Sequence, residues 1–238
     1  MSEMINLEGL IQATEKQNPE YQIPLKELCQ RYEKLFTAAV NDALREKRIL
    51  YQTLPNYLRC VRDGMKIAGP AFTIKGSKNL TLENEMEQRA VMLEAIYEDC
   101  VVAWDTSGDD ESAQWGEVMT MAAKMQGCRG AVVDGGVRDL DRVLPQDFPV
   151  FVKYRSSNGM LGRFRITAWE TPIRIGNATI RPGDIIFADI DGALVVPHEI
   201  AYDILIRSEA IVESEGQIKQ WVMSGMKPRE VVERGGYF

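Results

Sequence analysis

Glu117, Arg138 and Asp139 are the residues of this chain whose types and spacing point most directly to chemistry. Glu117 stands near the start of GEVMTMAAKMQG, Arg138 and Asp139 close GAVVDGGVRD, and twenty residues, 118 to 137, lie between. The two carboxylates offer hard oxygen ligands for a divalent ion, directly or through water. Arg138 adds a planar donor fork able to hold a carboxylate or keto oxygen. Backbone N–H groups at a helix start, here those of Val118 and Met119 after Gly116, have no intrahelical partner. They sit at the positive end of the helix dipole, which suits an anion. The residues alone describe a candidate anion-and-metal site, and no reaction.

Such a site needs elements that bring its two halves together. CVVAWD and GAVVD read as compact apolar strands, and GEVMTMAAKMQG as a helix from about Gly116 that Gly127 stops. DLDRVLPQ is then a short helix and FPVFVKY a further strand. This alternation suggests parallel pairing with right-handed crossovers. Glu117 and Arg138 would then lie near the carboxyl ends of strands and face each other across one crevice, where open α/β folds bind ligands. Gly135 and Gly136 are expected to bend the backbone sharply and let it approach a ligand. Asp134 is expected to be a strand-end carboxylate that accepts N–H bonds from the loop.

Each feature also has a plainer reading. Asp139 suits the N-cap of the next helix with Arg138 in a surface ion pair, and on spacing alone that is the commoner arrangement. Glu117 suits a solvated first-turn acid stabilised by the helix dipole. Asp109, Asp110 and Glu111 in TSGDDESAQ read as a solvated loop in preference to a metal cluster.

The rest of the chain frames this core. Residues 1 to about 50 look helical, with an irregular linker from Asn18 to Pro24 and a new helix start within Thr37 to Leu44. KIAGPAFTIKG reads as a short strand, a Gly-Pro break and a second strand. Glu83 to Tyr97 is a helix with an apolar face of Met86, Ala90, Leu93 and Tyr97. IRIGNATI and IIFADIDGALVVP are hairpins, and the last 40 residues are helical again, broken by SGMKP. The economical organisation is one α/β domain over residues 1–238, with a helical part to about 60, a core over about 61–200 and a helical tail from about 201.

Bulk properties set limits. The 238 residues, 45% hydrophobic and 26% charged, suit a globular chain able to bury a core. Net charge is −7 and no basic stripe is interleaved with aromatics, which argues against nucleic-acid binding. No apolar run approaches the roughly 20 residues that cross a bilayer. The N-terminus lacks the basic-then-apolar form of a signal peptide. Cys29, Cys60, Cys100 and Cys128 form no CxxC pair and read as reduced, mostly buried thiols, so a cytoplasmic location is expected. His198 in VVPHEI is the single histidine and reads as a surface residue. One imidazole excludes HExxH proteases and His-rich zinc sites, which leaves a hard ion such as Mg²⁺ or Mn²⁺.

GEVMTMAAKMQGCRGAVVDGGVRD resembles the core of the RraA-like family, and TAAVNDAL, KIAGPAFTIKG, FPVFVKY and RPGDIIFADIDGALVVP extend the likeness from about Thr37 to Pro197. That family includes the 4-hydroxy-4-methyl-2-oxoglutarate/4-carboxy-4-hydroxy-2-oxoadipate aldolases and a regulator of ribonuclease E. The resemblance implies a swivelling-type β/β/α sandwich with N- and C-terminal helices, assembled as a homotrimer or hexamer with sites at subunit interfaces. It implies that Asp139 holds Mg²⁺ (or Mn²⁺) and that Arg138 meets the keto and hydroxyl oxygens of a small 2-keto acid. It also implies that Gly116, Glu117, Val118 and Met119 present backbone N–H groups to the pyruvyl carboxylate. The family's usual aspartate at the first position is Glu117 here.

The activity so implied is cleavage of a 4-hydroxy-2-keto acid to pyruvate, with a metal-bound water positioned by Glu117 as base and oxaloacetate decarboxylation as a side reaction. Glu213 or Glu215 in the tail is a candidate for completing a neighbouring subunit's site. A rival Schiff-base mechanism would use Lys75 or Lys153. A rival function of another class is a non-enzymatic regulator that binds ribonuclease E, and a third reading is a family member that acts on another hydroxy-keto or sugar-derived acid.

Overall fold

A computed structural model describes residues 7–12 and 19–238. The remainder of the expected helical entrance, and Asn18 at the head of the expected linker, lie outside the described residues. Helices α1 (Leu7–Gln12), α2 (Leu25–Tyr32) and α3 (Thr37–Glu46) lead in. There follow β1 (Arg59–Cys60), β2 (Ile67–Lys78), α4 (Glu85–Glu94), β3 (Val101–Asp105) and β4 (Ala113–Trp115). The chain continues through α5 (Glu117–Met125), β5 (Gly130–Val137), α6 (Leu140–Val143) and β6 (Val150–Arg155). Then come β7 (Phe164–Trp169), β8 (Ile173–Ile175), β9 (Ala178–Ile180), β10 (Ile185–Asp189) and β11 (Gly192–Val196). Helices α7 (Ala201–Met223) and α8 (Pro228–Glu233) end the described chain.

The fold is mixed α/β with terminal helices. Nine strands form one sheet in the order β1-β6-β5-β3-β2-β10-β11, with β4 added to β5 and β7 to β2; β8 and β9 make a separate hairpin. The strands β2, β3, β5 and β6 run parallel, and β10 continues the sheet antiparallel. Parallel pairing suits β3 and β5, which are buried along their whole length and read as near-continuous apolar runs. The segment before β1 nearly closes the sheet into a barrel. Thr53 bridges to Leu194 in β11, while Arg59 and Cys60 pair with Val152 and Phe151 in β6. One short stretch therefore holds both ends of the strand order.

Two apolar bodies support this sheet. The larger gathers Phe72, Trp104, Trp115, Phe151, Phe164 and the hairpin isoleucines Ile173, Ile175 and Ile180. The second, with Leu28, Tyr32, Leu44, Phe187, Leu194 and Leu205, seats α2, α3 and α7 on the β10–β11 hairpin. Asp189 at the end of β10 fixes the start of α3, accepting from Thr37 N and Thr37 Oγ1 at 2.8 Å each.

Several expectations need correction. KIAGPAFTIKG is one unbroken strand: residues 67–70 of β2 pair with β10 and residues 71–75 with β3. Pro70, which has no N–H to give, sits where the strand changes neighbour. Gly69 is required there by space, since a β-carbon would stand 2.5 Å from the Asp99 carbonyl oxygen. Gly135 and Gly136 do not end the strand in a sharp turn; β5 continues through them to Val137, with one extra residue bulged between Val133 and Gly136 against β6. A β-carbon on Gly135 would strike Gln114 and Thr106, and one on Gly136 would lie 2.5 Å from the Tyr154 ring. Asp134 therefore lies within the strand, not at its end, and its Oδ1 is buried with no hydrogen-bond partner among the described residues. His198 is largely buried, its Nδ1 3.1 Å from Asp184 Oδ1, because the chain leaving β11 folds back on the Arg181–Asp184 turn.

Candidate active site

The start of α5 is held from inside the core. Trp115, stacked on Phe148 with 6.1 Å between ring centroids, donates through Nε1 to Thr120 Oγ1 at 2.9 Å. Thr120 in turn donates to the Gly116 carbonyl from its hydroxyl at 2.9 Å and its amide at 3.0 Å. No side chain caps this helix, so the N–H groups of its first turn remain open to a ligand. Its one first-turn acid is Glu117, whose Oε2 lies 4.0 Å from Arg142 Nε.

The end of β5 is tied to that same point. The Arg138 amide donates to the Trp115 carbonyl at 3.0 Å, which sets Arg138 and Asp139 against Gly116. The packing is tight: a β-carbon at position 116 would be 3.0 Å from Asp139 Oδ2 and 3.3 Å from Arg138 Cγ. Gly159 makes similar room, since its β-carbon would stand 2.7 Å from Arg138 Nη1. Asp139 itself adopts a left-handed backbone, φ 57° and ψ 35°. That conformation costs a non-glycine residue roughly 1–2 kcal/mol, with Asp and Asn the most tolerant. Asp139 precedes α6, as in the plainer of the two arrangements, yet its carboxylate caps nothing; its carbonyl accepts from Arg142 and Val143. Its Oδ2 meets Arg138 Nε at 3.3 Å.

All six residues named from the sequence, Gly116, Glu117, Val118, Met119, Arg138 and Asp139, line a single cavity of about 500 Å³. Another wall is α4, whose Met86, Ala90 and Leu93 line this cavity, Leu93 also packing against the larger apolar body. Met160 and Leu161 close one end. Arg138 and Asp139 also border a second hollow of about 470 Å³ on their other side, with Arg155 and Ser156.

Other candidates lie elsewhere. Lys75 donates to Asp105 Oδ2 at 2.6 Å, and Lys153 sits 5.4 Å from the centre of the Tyr57 ring; neither lines the cavity. Glu215 pairs with Lys219 along α7, and Glu213 is exposed on the same helix. The TSGDDESAQ stretch is not wholly solvated. Asp109 is buried and accepts from Ser112 N at 2.9 Å and Gln114 Nε2 at 2.6 Å, while Asp110 and Glu111, like Ser107 and Gly108, are exposed. Gln114 Oε1 accepts from Gly136 N at 2.9 Å, which brings β4, an element not legible beforehand, alongside β5.

Sequence reasoning also missed Arg89. It lines the cavity from α4, half-buried, and its Nε and Nη2 are shut from solvent without a hydrogen-bond partner. A signal existed: 86, 89 and 93 share the helical spacing of the apolar face, so an arginine on it was out of place.

A divalent ion suits the donors present. Asp139 keeps Oδ1 free of Arg138, and its side chain is 40% exposed, which leaves room for the waters Mg²⁺ retains.

The RraA-like family model, described as Aldolase/RraA, matches residues 37–195. Protein DlpA of Legionella pneumophila is 29% identical over 212 residues, 89% of this chain and 34% of that protein. Protein MJ0644 of Methanocaldococcus jannaschii is 32% identical over 129 residues, 52% of this chain and 60% of that protein. The chain thus spans well under two thirds of the first and somewhat under two thirds of the second. A protein of Halalkalibacterium halodurans named "Putative 4-hydroxy-4-methyl-2-oxoglutarate aldolase" is 30% identical over 168 residues, 68% of this chain and 72% of that one.

Two solved structures extend the likeness. One, described as "novel cellulases from microbes associated with the gut ecosystem", is 50% identical with a TM-score of 0.86, covering 90% of this chain and 97% of the other. Streptomyces coelicolor RraAS2, described as an unusual member of the RNase ES inhibitor RraA protein family, is 25% identical with a TM-score of 0.71. That match covers 87% of this chain and 100% of the other.

Proposed function

The chain belongs to the RraA-like family, and from that membership we propose that it is a divalent-metal-dependent lyase that cleaves a 4-hydroxy-2-oxo acid and releases pyruvate. The observation that carries this reading is the meeting of Glu117, Arg138 and Asp139 at the uncapped start of α5, inside one cavity of about 500 Å³. The name of the Halalkalibacterium relative supports the same reaction class.

In this reading the substrate's 2-oxo acid end lies against Gly116–Met119, its carboxylate taking the open N–H groups of α5. Arg138 donates to the keto oxygen. Asp139 holds Mg²⁺ or Mn²⁺, which when bound supplies Lewis-acid stabilisation of the negative charge that develops on that oxygen. Glu117 takes up the proton of the C4 hydroxyl. As the C3–C4 bond breaks, its electron pair passes into the three-carbon fragment, and C4 leaves as a carbonyl carbon. Protonation at C3 then gives pyruvate. The same electron sink serves oxaloacetate, whose lost fragment is carbon dioxide.

A trimeric assembly fits this placement. Val118, Met121 and Met125 on α5 and Leu161 beside the cavity are exposed apolar side chains, suited to burial by a neighbouring copy. A cytoplasmic setting is consistent with the free thiols; among the described residues no helix is long and apolar enough to cross a membrane.

The test is pyruvate release from a panel of 4-hydroxy-2-oxo acids and from oxaloacetate, with the protein treated with EDTA and then restored with Mg²⁺. Activity indifferent to EDTA rejects the metal mechanism, and no pyruvate from any member rejects the lyase. The second reading, a regulator of ribonuclease E, is favoured by the likeness to RraAS2 and would show as capture of that ribonuclease in a pull-down. Polysaccharide cleavage has less support, since no exposed aromatic ring lines the cavity for a sugar to stack on.

A further inference from the structure

β5 carries one residue too many for its neighbour. From Val133 to Gly136 it advances three positions, while β6 advances two, from Val152 to Tyr154. Such a bulge leaves backbone groups outside the ladder and reverses the alternation of side chains beyond it. Gly136 therefore takes the face of Val133, and Arg138 leaves the strand on the side opposite to the one strict alternation would give it.

Two buried side chains take up the backbone groups so released, which would otherwise stay unpaired. Thr106 Oγ1 donates to the Asp134 carbonyl, and Gln114 Oε1 accepts from Gly136 N at 2.9 Å. Gln114 is the middle residue of β4 and has no partner in β5, since Ala113 pairs with Gly136 and Trp115 with Val137. The irregularities of the two strands thus face each other and are joined by one amide. That amide is itself held: its Nε2 donates to Asp109 Oδ2 at 2.6 Å, and the same oxygen accepts from Ser112 N at 2.9 Å. The fit leaves no space at position 135, where a β-carbon would strike Gln114 Oε1 and stand 2.8 Å from Thr106 Cγ2.

We propose that Gln114 is a positioning residue: by closing the bulge it fixes the register at which β5 delivers Arg138 and Asp139 to the start of α5. The Arg138 amide donates to the carbonyl of Trp115, the residue after Gln114, so strand end and helix start are measured from one point. A one-residue slip would carry the pair about 3.3 Å along the strand and turn Arg138 to the other face. The open N–H groups of α5 are set separately, by Thr120 against Gly116, so loss of Gln114 disturbs metal holding and turnover more than carboxylate binding. This rests on the lyase reading for turnover, while the placement of the pair can be measured without it.

The experiment compares wild type with Gln114→Met, which keeps the length without the amide, and with Gln114→Glu. Crystal structures, calorimetry with Mg²⁺ and steady-state pyruvate release are read at temperatures where each protein is folded. In Gln114→Met the Arg138–Asp139 pair is expected to move off Gly116 by more than about 0.5 Å, the tolerance of a working site. Mg²⁺ affinity should fall about 10- to 100-fold, and kcat about 100-fold with KM changing far less. Protonated glutamate offers the same acceptor and donor as the amide, whereas ionised glutamate sets a second negative charge against Asp109. Turnover of Gln114→Glu relative to wild type should therefore recover as pH falls, and that of Gln114→Met should not. A purely structural role would lower the urea midpoint and leave metal affinity and kcat of the folded protein at wild-type values. Should Gln114→Met fail to fold by circular dichroism, Thr106→Val, which removes the other bond of the bulge, carries the same comparison. An unmoved pair overturns the proposal, as does a moved pair with turnover and Mg²⁺ affinity equal to those of an active wild type. A loss in Gln114→Glu that ignores pH overturns it as well, since side-chain volume and not hydrogen bonding would then be at work. If wild type binds no Mg²⁺ and cleaves no oxo acid, the lyase reading falls, and displacement of the pair alone decides the role of Gln114.

Discussion

Arg138 and Asp139 are adjacent in the chain, yet Arg138 Nε and Asp139 Oδ2 meet at 3.3 Å over the face of Gly116. Neighbouring side chains in an extended strand point to opposite faces, so this approach needs the left-handed turn at Asp139, φ 57°. The turn converts a strand end into two convergent groups. It also restricts what can stand at 139, because only asparagine shares aspartate's tolerance of that backbone among residues of its size.

Asp139→Asn is therefore a clean removal of charge. It is expected to keep the fold and to lower Mg²⁺ affinity and Mg²⁺-stimulated pyruvate release by at least the roughly 10- to 100-fold that even outer-shell partners of a metal are worth. Calorimetry with Mg²⁺ and a coupled pyruvate assay check it. Unchanged metal binding in the variant would place the ion elsewhere.

Gly116→Ala tests the close approach itself. The backbone there is extended and accepts alanine, so the added β-carbon acts only by pressing on Asp139 and Arg138. Stability is expected to shift by less than about 1 kcal/mol. Activity should fall by about 100-fold, as for small misplacements of reacting groups. Full activity in this variant would mean that the pair does not need its present position.

Glu117→Gln separates proton transfer from binding. Turnover should drop by roughly 10²- to 10⁴-fold while 2-oxo acid affinity stays near wild type. Steady-state kinetics beside a direct binding titration distinguish the two, and a rise in KM with kcat intact would reassign Glu117 to binding.

Gln114→Ala removes one side chain that serves both Gly136 N and Asp109. Each would be left buried without that partner, so a loss of about 2–3 kcal/mol is expected, read as a lower urea midpoint. A midpoint equal to wild type would show that water replaces the amide.

Asp134 gives a pH signature. Burial pushes its pKa above the usual carboxylate range, with the bond from Tyr57 opposing this. The folded state then holds a proton that the unfolded chain releases, so stability contributed by this group is present at low pH and falls as pH rises through that range. Asp134→Asn removes the dependence. Urea unfolding of both proteins from about pH 4 upward should show the variant gaining relative to wild type; parallel curves would refute the assignment.

The site was legible where local pattern and crossover geometry decide it. Glu117 opens α5 and Arg138 follows β5, one helix and one strand later, and a parallel crossover returns the chain to the same sheet end. Asp109 was not legible, because its burial depends on Tyr154 and Gln114, and β4, the strand that follows its loop, pairs only over two registers with a shift between them. Gly135, Gly136 and Pro70 were read by their turn habits, while their positions answer to neighbours brought in from distant sequence: Gln114, Tyr154 and Ile185. Arg89 was lost for a related reason, since the helix was read by its apolar residues Met86, Ala90, Leu93 and Tyr97, and the arginine among them lines the cavity.

The clasp formed by Thr53 with Leu194, and by Arg59 and Cys60 with β6, carries a kinetic consequence. Its partners are made late in synthesis and lie far along the chain, so the seam can form only after most of the sheet exists, and such non-local pairing is slow. Until it closes, two unpaired strand margins are open to pairing with other chains. Protection of the amides around Leu54 against hydrogen exchange should accordingly appear last during refolding.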